Sequence, residues 1–261
     1  MSGTGKVSNA QTPFRRALRS FMDQRTARVG LVLLGVLITA AFGADIFATY
    51  SPIDVLIDKE PGAVRLAGPC INLFGCEGPQ HIFGLDNNVR DVFSRVLHGA
   101  RLSLQVGFLT VGFAIVLGSL IGAVSGFVGG WVDNLLMRIM DVLLAFPSLL
   151  LAIAIVTVIG PGLINTQLAI GVVAIPIYAR VMRASVLSLR DREFVAASRA
   201  LGASESSILF RKILPNALTP IIVQGTLGIG GAILDVAALS FLGLGAQPPT
   251  AEWGSMIGAD R

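Results

Sequence analysis

The sequence predicts an all-α protein, a polytopic bundle of transmembrane helices, from three observations. Of its 261 residues, 53% are hydrophobic and 14% are charged, whereas soluble domains carry about 25% charged residues. Apolar runs of about 20 residues recur, which is the length needed to cross hydrocarbon. Basic residues collect at the ends of these runs, without the interleaved aromatic residues of a nucleic-acid surface. The mean hydropathy of +0.75 agrees with this class.

The apolar runs predict five spans, at residues 29–48, 102–127, 135–159, 163–187 and 216–242. The excess of Lys and Arg on one side predicts that the tail 1–28 and the loop 188–215 are cytoplasmic. The long segment 49–101 is then external.

The external segment contains the two cysteines of the chain, Cys70 and Cys76. A small disulfide loop and two free thiols both fit the sequence. Apolar residues at 92, 93, 96 and 97 predict a separate amphipathic helix lying on the membrane surface. His81 and His98 have no evident partner in the sequence, so we expect solvated or interfacial roles for them.

Small and charged residues inside the spans give further expectations. Gly118, Gly122, Gly126 and Gly130 fall four residues apart, which predicts one face for close helix packing, with a role in a substrate path as the alternative. Pro147 predicts a kink in the third span.

Three charged residues in the spans have both a structural and a transport interpretation. Arg138 and Asp141 are three residues apart and are predicted to form a structural pair, with proton transport as the alternative. Asp235 is the one acidic residue of the fifth span. It either makes a polar contact between subunits or lines a path, and the sequence leaves both open.

The loop 193–215 is polar and basic between two apolar runs. Good helix formers from Glu193 to Leu201 predict one helix, which Gly202 interrupts. Ser204 is the predicted N-cap of a second helix, and Pro215 is expected to stop or kink it. An ordinary amphipathic cytoplasmic loop is the alternative interpretation.

This loop resembles the EAA loop of ABC importer permeases. The matching positions are Ala196, Ala197, Ser198, Gly202, Ile213, Leu214 and Pro215. Ala196 stands where the family usually has Glu, which puts in doubt any ion pair made by that glutamate. The stretches 81–103, 137–150 and 241–256 are similar to the C-type subunit of dipeptide and oligopeptide importers.

The resemblance implies a type I ABC importer permease with a permease core at 102–261. The family usually has six spans, against about five predicted here. It also implies a heterodimer with a B-type permease, two ATP-binding subunits that hold ATP and Mg, and an external substrate-binding protein. No cofactor or metal is expected on this chain, no catalytic role is expected, and the location is the bacterial inner membrane with a cytoplasmic N-terminus.

The resemblance further implies that the loop contacts an ATPase. The residues expected there are Glu193, Phe194, Val195, Ala196, Ala197, Arg199, Leu201 and Gly202. Phe194, Val195, Ala197 and Leu201 would form an apolar docking face, and Arg199 would make an ionic contact.

An importer for nickel or another small solute remains an alternative to peptide import.

Functions of other classes predict features that the sequence lacks. A secondary transporter or channel predicts a relay of acids or an inverted repeat, and neither is evident. A membrane enzyme needs a nucleophile with a base, or a set of metal ligands. The run from Gly3 to Lys6 lacks the Ser or Thr of a phosphate-binding loop.

Overall fold

The structure is a computed structural model that describes residues 22–259. Most of the predicted cytoplasmic tail, 1–28, and the Gly3–Lys6 run lie outside these residues. The helices are α1 (Arg25–Phe42), α2 (Ala44–Phe47), α3 (Val92–Val128), α4 (Gly130–Leu144), α5 (Ser148–Ile159), α6 (Leu163–Arg190), α7 (Glu193–Ala200), α8 (Glu205–Ile208), α9 (Leu214–Phe241) and α10 (Trp253–Ala259). A 3-10 turn covers Asn72–Phe74, and a π turn covers Leu209–Ile213.

The predicted class, an all-α bundle of transmembrane helices, is confirmed. Within residues 22–259, four helices are long and apolar enough to cross a membrane: α1, α3, α6 and the continuous helix Glu205–Phe241 that contains α8, the π turn and α9. The pair α4 and α5 passes the same test as a fifth span, but the two helices meet at 91°. Pro147 therefore marks a break rather than the predicted kink, because it lacks the N–H that would continue the helical ladder.

The bundle has two ends, which we name by their residues. The loop end carries residues 191–204, between α6 and α8. The cap end carries residues 43–91 and 242–259. These segments connect α1 to α3 and follow α9.

The separate surface helix predicted at residues 92–97 is wrong. These residues form the first turns of α3, which runs unbroken to Val128. Asp91 caps the helix, because its Oδ2 accepts a hydrogen bond of 2.8 Å from the Ser94 N–H. No helix breaker follows, and Leu97 is buried rather than lying in an interface.

Close packing of α3 against α6 uses three of the four spaced glycines. A Cβ at Gly118 would lie 2.7 Å from the carbonyl oxygen of Ile175, and one at Gly126 would lie 2.9 Å from that of Arg183. At Gly122 it would overlap the Ala179 carbonyl. Side chains at these positions would force the two backbones apart. Gly130 does not belong to this face, since it starts α4 with a φ of 58°.

The cap end has a small core of its own. Leu56, Leu85 and Val89 are buried together, and the structure joins Cys70 and Cys76 in a disulfide with a Cα–Cα distance of 5.5 Å. This layer is also tied to the bundle. Arg95 of α3 donates hydrogen bonds to the carbonyls of Pro52, at 2.8 Å, and Pro249, at 3.3 Å.

His81 departs from its predicted solvated role. It is buried in the cap end, with Nδ1 3.0 Å from Asp91 Oδ1 and Nε2 3.0 Å from Glu60 Oε2. The Tyr50 ring stacks on it at 5.0 Å. His98 also has partners, the Ser94 carbonyl at 2.8 Å and Asp45 at 3.2 Å. Glu60 lies 21 residues from His81 and Asp45 lies 53 from His98, so sequence spacing gave no sign of either contact.

Candidate coupling surface at the loop end

The short helix α7 is anchored to the bundle by one side chain. α6 ends at Arg190, and α7 starts at Glu193. Val195 is the one buried residue of α7 and has no exposed surface. The rest of the helix is exposed or half-buried, so α7 lies against the bundle on a single apolar contact.

The end of α7 explains why a glycine stands at position 202. The Gly202 N–H donates to the Arg199 carbonyl at 3.0 Å, and the Ala203 N–H donates to the Ser198 carbonyl at 3.1 Å. These two bonds form a Schellman motif, which satisfies the free carbonyls of the last turn. The motif places Gly202 at a φ of 82°, a conformation that glycine adopts without strain.

The second helix of the loop begins as predicted but does not end as predicted. Ser204 caps α8, accepting a hydrogen bond of 3.4 Å from the Ser207 N–H. The expectation that Pro215 stops this helix is wrong, because the chain continues as one helix to Phe241. The alternative, a kink at Pro215, stays a prediction. The π turn Leu209–Ile213 directly precedes Leu214 and Pro215. Such a turn shifts the hydrogen-bond register, which accommodates a proline without an N–H.

The exposed face of α7 differs from the predicted docking face at one residue. Phe194, Ala197 and Leu201 are exposed, and Leu201 has 88% of its surface free. Glu193 and Ala196 are exposed beside them. Val195 points into the bundle instead. A residue adjacent to Phe194 on a helix is turned by about 100°, so both cannot face the same way.

Arg199 has a partner within the loop. Its Nε and Nη2 donate to the two carboxylate oxygens of Glu205 at 2.6 and 2.9 Å. This bidentate contact crosses the turn at Gly202 and joins α7 to α8. The predicted ionic contact of Arg199 with another subunit therefore competes with an internal pair, which sequence reasoning missed.

Val195 connects the loop to three spans. It belongs to a buried cluster that includes Met182 and Val186 of α6, Ala123 of α3 and Ile221 of α9, together with Ile208, Leu209, Ile213 and Ala217. Because interiors are close-packed, a displacement of α7 must move or repack these residues. The exposed face of α7 is thus mechanically linked to α3, α6 and α9.

Ion pairs near the loop end fix α4 against α6. Arg183 donates from Nε and Nη2 to the two oxygens of Asp133, at 2.5 and 2.6 Å, and the Ser125 hydroxyl also donates to Asp133. Arg190 reaches the Gly126 carbonyl at 3.1 Å. The Asp133–Arg183 pair was not predicted, since 50 residues separate its members along the chain.

The predicted pair of Arg138 with Asp141 is wrong. Asp141 Oδ1 accepts from Arg180 Nη2 at 2.6 Å, and no ion pair joins Arg138 to Asp141 in the part of the chain that the structure describes. α4 packs along α6, which brings Arg180 to Asp141.

Two other predicted path positions lie away from the loop. Pro147 stands immediately before α5, in the break between α4 and α5. Asp235, on α9, contributes to the wall of a cavity between α5, α6 and α9. Neither residue belongs to the loop end, residues 191–204.

Residues 22–259 hold no group of three His, Cys, Asp or Glu side chains placed to bind a metal ion. What the loop end offers is an exposed apolar and charged helix, tied to the spans through one buried cluster.

The long apolar helices and the short helix at the loop end define the class as a multi-pass helical membrane protein. Residues 114–260 match the family model described as the binding-protein-dependent transport system inner membrane component. The chain belongs to this family, and its predicted place among the ABC importer permeases is confirmed. Residues 12–69 match the N-terminal transmembrane domain of oligopeptide transport permease C.

Individual relatives cover nearly the whole chain. It is 45% identical to the dipeptide transport system permease protein DppC of Alkalihalophilus pseudofirmus over 97% of this chain and 79% of that protein. It is 42% identical to the di/tripeptide transport system permease protein DppC of Pseudomonas aeruginosa, over 96% and 80%. It is 41% identical to the glutathione transport system permease protein GsiD of Escherichia coli, over 98% and 80%.

A solved structure shares the fold. The inward-facing MetNI methionine ABC transporter has a chain that matches 58% of this chain and 76% of its own, with a TM-score of 0.52 and 21% identity.

Proposed function

We propose that this chain is a permease subunit of an ATP-driven importer for short peptides, with α7 as its contact to a cytoplasmic ATPase. The proposal rests on the observation that α7 has an exposed face and one side chain buried in the bundle. Its exposed face presents Phe194, Ala197 and Leu201, and its buried Val195 is packed against α6 and α9. Force applied to the exposed face therefore reaches the spans.

The proposed orientation puts the loop end in the cytoplasm and the cap end outside. The surplus of Lys and Arg near the loop end favours this orientation. Arg180, Arg183 and Arg190 lie in the last turns of α6, Arg192 directly precedes α7, and Arg199 lies in the last turn of α7. The disulfide of the cap end agrees with an oxidising compartment.

The proposed assembly contains a second, B-type permease, two ATP-binding subunits and an external substrate-binding protein. Binding and hydrolysis of ATP, with Mg, belong to the ATP-binding subunits. This chain provides half of the translocation path and binds no cofactor. Closure of the ATPases would move α7 and with it the close-packed spans, so that access to the path alternates between the two sides.

Peptide is the proposed substrate class because the named relatives carry dipeptides, di/tripeptides and glutathione. All three substrates are short peptides. Nickel or another small solute is the alternative, since the binding protein sets much of the selectivity.

The first test is purification of this chain from its native membrane in mild detergent, with identification of the proteins that accompany it. We expect a second permease and ATP-binding subunits. The purified complex is then placed in liposomes with its binding protein and assayed for uptake of a labelled dipeptide, glutathione and Ni²⁺. Isolation of the chain alone or as a homo-oligomer would contradict the assembly, and uptake of Ni²⁺ without peptide would contradict the substrate class.

A further inference from the structure

A cavity lies between α5, α6 and α9 beside the break at Pro147. Its volume is about 120 Å³, and its wall is apolar apart from Ser148 and Asp235. Ser148 is the first residue of α5, directly after the break at which α4 and α5 meet at 91°.

The cavity lies at membrane depth. α5 and α9 both finish at the cap end, where Gly162 and Thr166 hydrogen-bond to the Leu244 carbonyl at 2.9 and 3.0 Å. At 1.5 Å per helical residue, Asp235 lies about 9 Å inside Phe241, and Ser148 lies about 17 Å inside Ile159. Both distances fall within a hydrocarbon layer about 30 Å thick.

Asp235 has no countercharge within residues 22–259. No ion pair or hydrogen bond to its carboxyl group is found among them, and the residue is half-buried. A carboxylate at this depth is costly unless it faces water or meets a cation. It therefore gains most from a cation that arrives in the cavity.

We propose that Asp235 and this cavity form a transient binding site for the terminal ammonium group of the substrate during its passage. The inference rests on the proposed peptide import. The carboxylate receives the ammonium as a charge-assisted hydrogen bond. The apolar wall of Ala152, Ile170 and Val173 receives the first aliphatic atoms. The cavity, of about 120 Å³, has room for an ammonium group and the first carbons of the substrate.

The test uses the complete importer, with its partner permease, ATPases and binding protein, in liposomes. Three variants are compared with wild type: Asp235→Asn, Asp235→Glu and the control Asp58→Asn. Asp58 is exposed in the cap end, so its replacement removes the same charge away from the cavity. The readout is dipeptide transported per ATP hydrolysed, for a free dipeptide and for its N-acetylated form. Because every variant uses the same binding protein, its own preference cancels in the comparison.

We expect Asp235→Asn to lower transport of the free dipeptide per ATP by about tenfold, as the loss of one charge-assisted hydrogen bond implies. Asp235→Glu and Asp58→Asn stay near wild type, and transport of the acetylated peptide is insensitive to the variant.

Three results would overturn the site. The first is wild-type transport of the free dipeptide by Asp235→Asn. The second is an equal loss for free and acetylated peptides. The third is dissociation of the complex in size-exclusion chromatography, which assigns Asp235 to a contact between subunits. Failure of the wild-type importer to carry any peptide would instead contradict the proposed function.

Discussion

At the residue scale, the loop depends on a few positions whose roles are distinct. Gly202 provides the backbone conformation that ends α7, Val195 provides the anchor, and Phe194 provides exposed surface. Neighbouring residues on a short helix can therefore be altered separately, because one faces the bundle and the next faces outward.

Gly202→Ala is expected to impair transport through the backbone alone. A Cβ at Gly202 meets nothing within 4 Å, so the cost is the strain of a left-handed residue, about 1 kcal/mol. Gly62 is a matched control, with a φ of 84° and equally open surroundings at the cap end. We expect both variants to lose similar thermal stability, and only Gly202→Ala to lose peptide transport per ATP. Gly202→Pro should uncouple more completely, since it also lacks the N–H bonded to Arg199.

Membrane insertion gives the control for Gly202→Pro. The variant is expected to reach the membrane in wild-type amount, measured by immunoblot of membrane fractions. Undiminished transport by Gly202→Pro would rule out a coupling role for the turn.

Val195→Ala is expected mainly to lower stability, whereas Phe194→Ala is expected mainly to lower binding of the ATPase. Val195 is fully buried, so its truncation removes two methyl groups from the core and costs about 2 kcal/mol of stability. Phe194 is 38% exposed, so its truncation costs less stability and removes docking surface. Thermal unfolding and co-purification of the ATPase measure the two effects. If both variants co-purify with equally reduced amounts of the ATPase and keep wild-type stability, the inward orientation of Val195 is contradicted.

Tyr50 gives a pH-dependent signal from the cap end. Burial, and then its hydrogen bond to Glu60, raise the pKa of Tyr50 from 10.0 to about 12. The neutral phenol is thus favoured in the fold. The stability it contributes is fully present below about pH 10 and is lost as the pH rises through about 12. Tyr178→Phe leaves Tyr50 as the one tyrosine, and tyrosinate absorbance measures its titration.

A midpoint near 10 in that titration would contradict the buried environment of Tyr50. Glu60→Gln should lower the midpoint, because it removes the negative charge beside the phenol.

At the scale of single elements, the contact between α3 and α6 depends on the absence of side chains. We expect Gly122→Ala to lower the unfolding temperature, because the added Cβ overlaps the Ala179 carbonyl and separates the helices. Gly112→Ala is the control on the same helix, since its Cβ meets nothing within 4 Å. Alanine is about 1 kcal/mol better than glycine in a helix interior, so the control should be neutral or slightly stabilising. Equal effects of the two substitutions would refute the packing role of Gly122.

Elements were predictable where a local signal sets them. Hydropathy predicted the existence of the spans, and Gly202 and Ser204 predicted the interruption of the loop. Long-range contacts were not predictable. Asp133 meets Arg183 from 50 residues away, and His81 meets Glu60 and Asp91 only after the cap end folds. The inward orientation of the Val195 side chain depends on which face α6 presents to α7, and a single sequence does not contain that information.

On the scale of the whole molecule, the ends of the bundle are built differently. The cap end is held by a disulfide, buried Arg95 and the loop after α9, whereas the loop end is held by the buried cluster around Val195 and the exposed Arg199–Glu205 pair. This asymmetry agrees with the proposed function, in which the loop end receives force and the cap end keeps the spans together.

The continuous helix Glu205–Phe241 has a consequence for movement. Its 37 residues make it about 54 Å long, while the hydrocarbon layer is about 30 Å thick. When this helix tilts about the level where the other spans contact it, its two ends therefore move farther than the rest of the helix. A tilt of about 10° about its centre carries each tip by about 5 Å, at this length. Spin labels at the two ends of the helix would report this tilt as displacements of similar size in opposite directions.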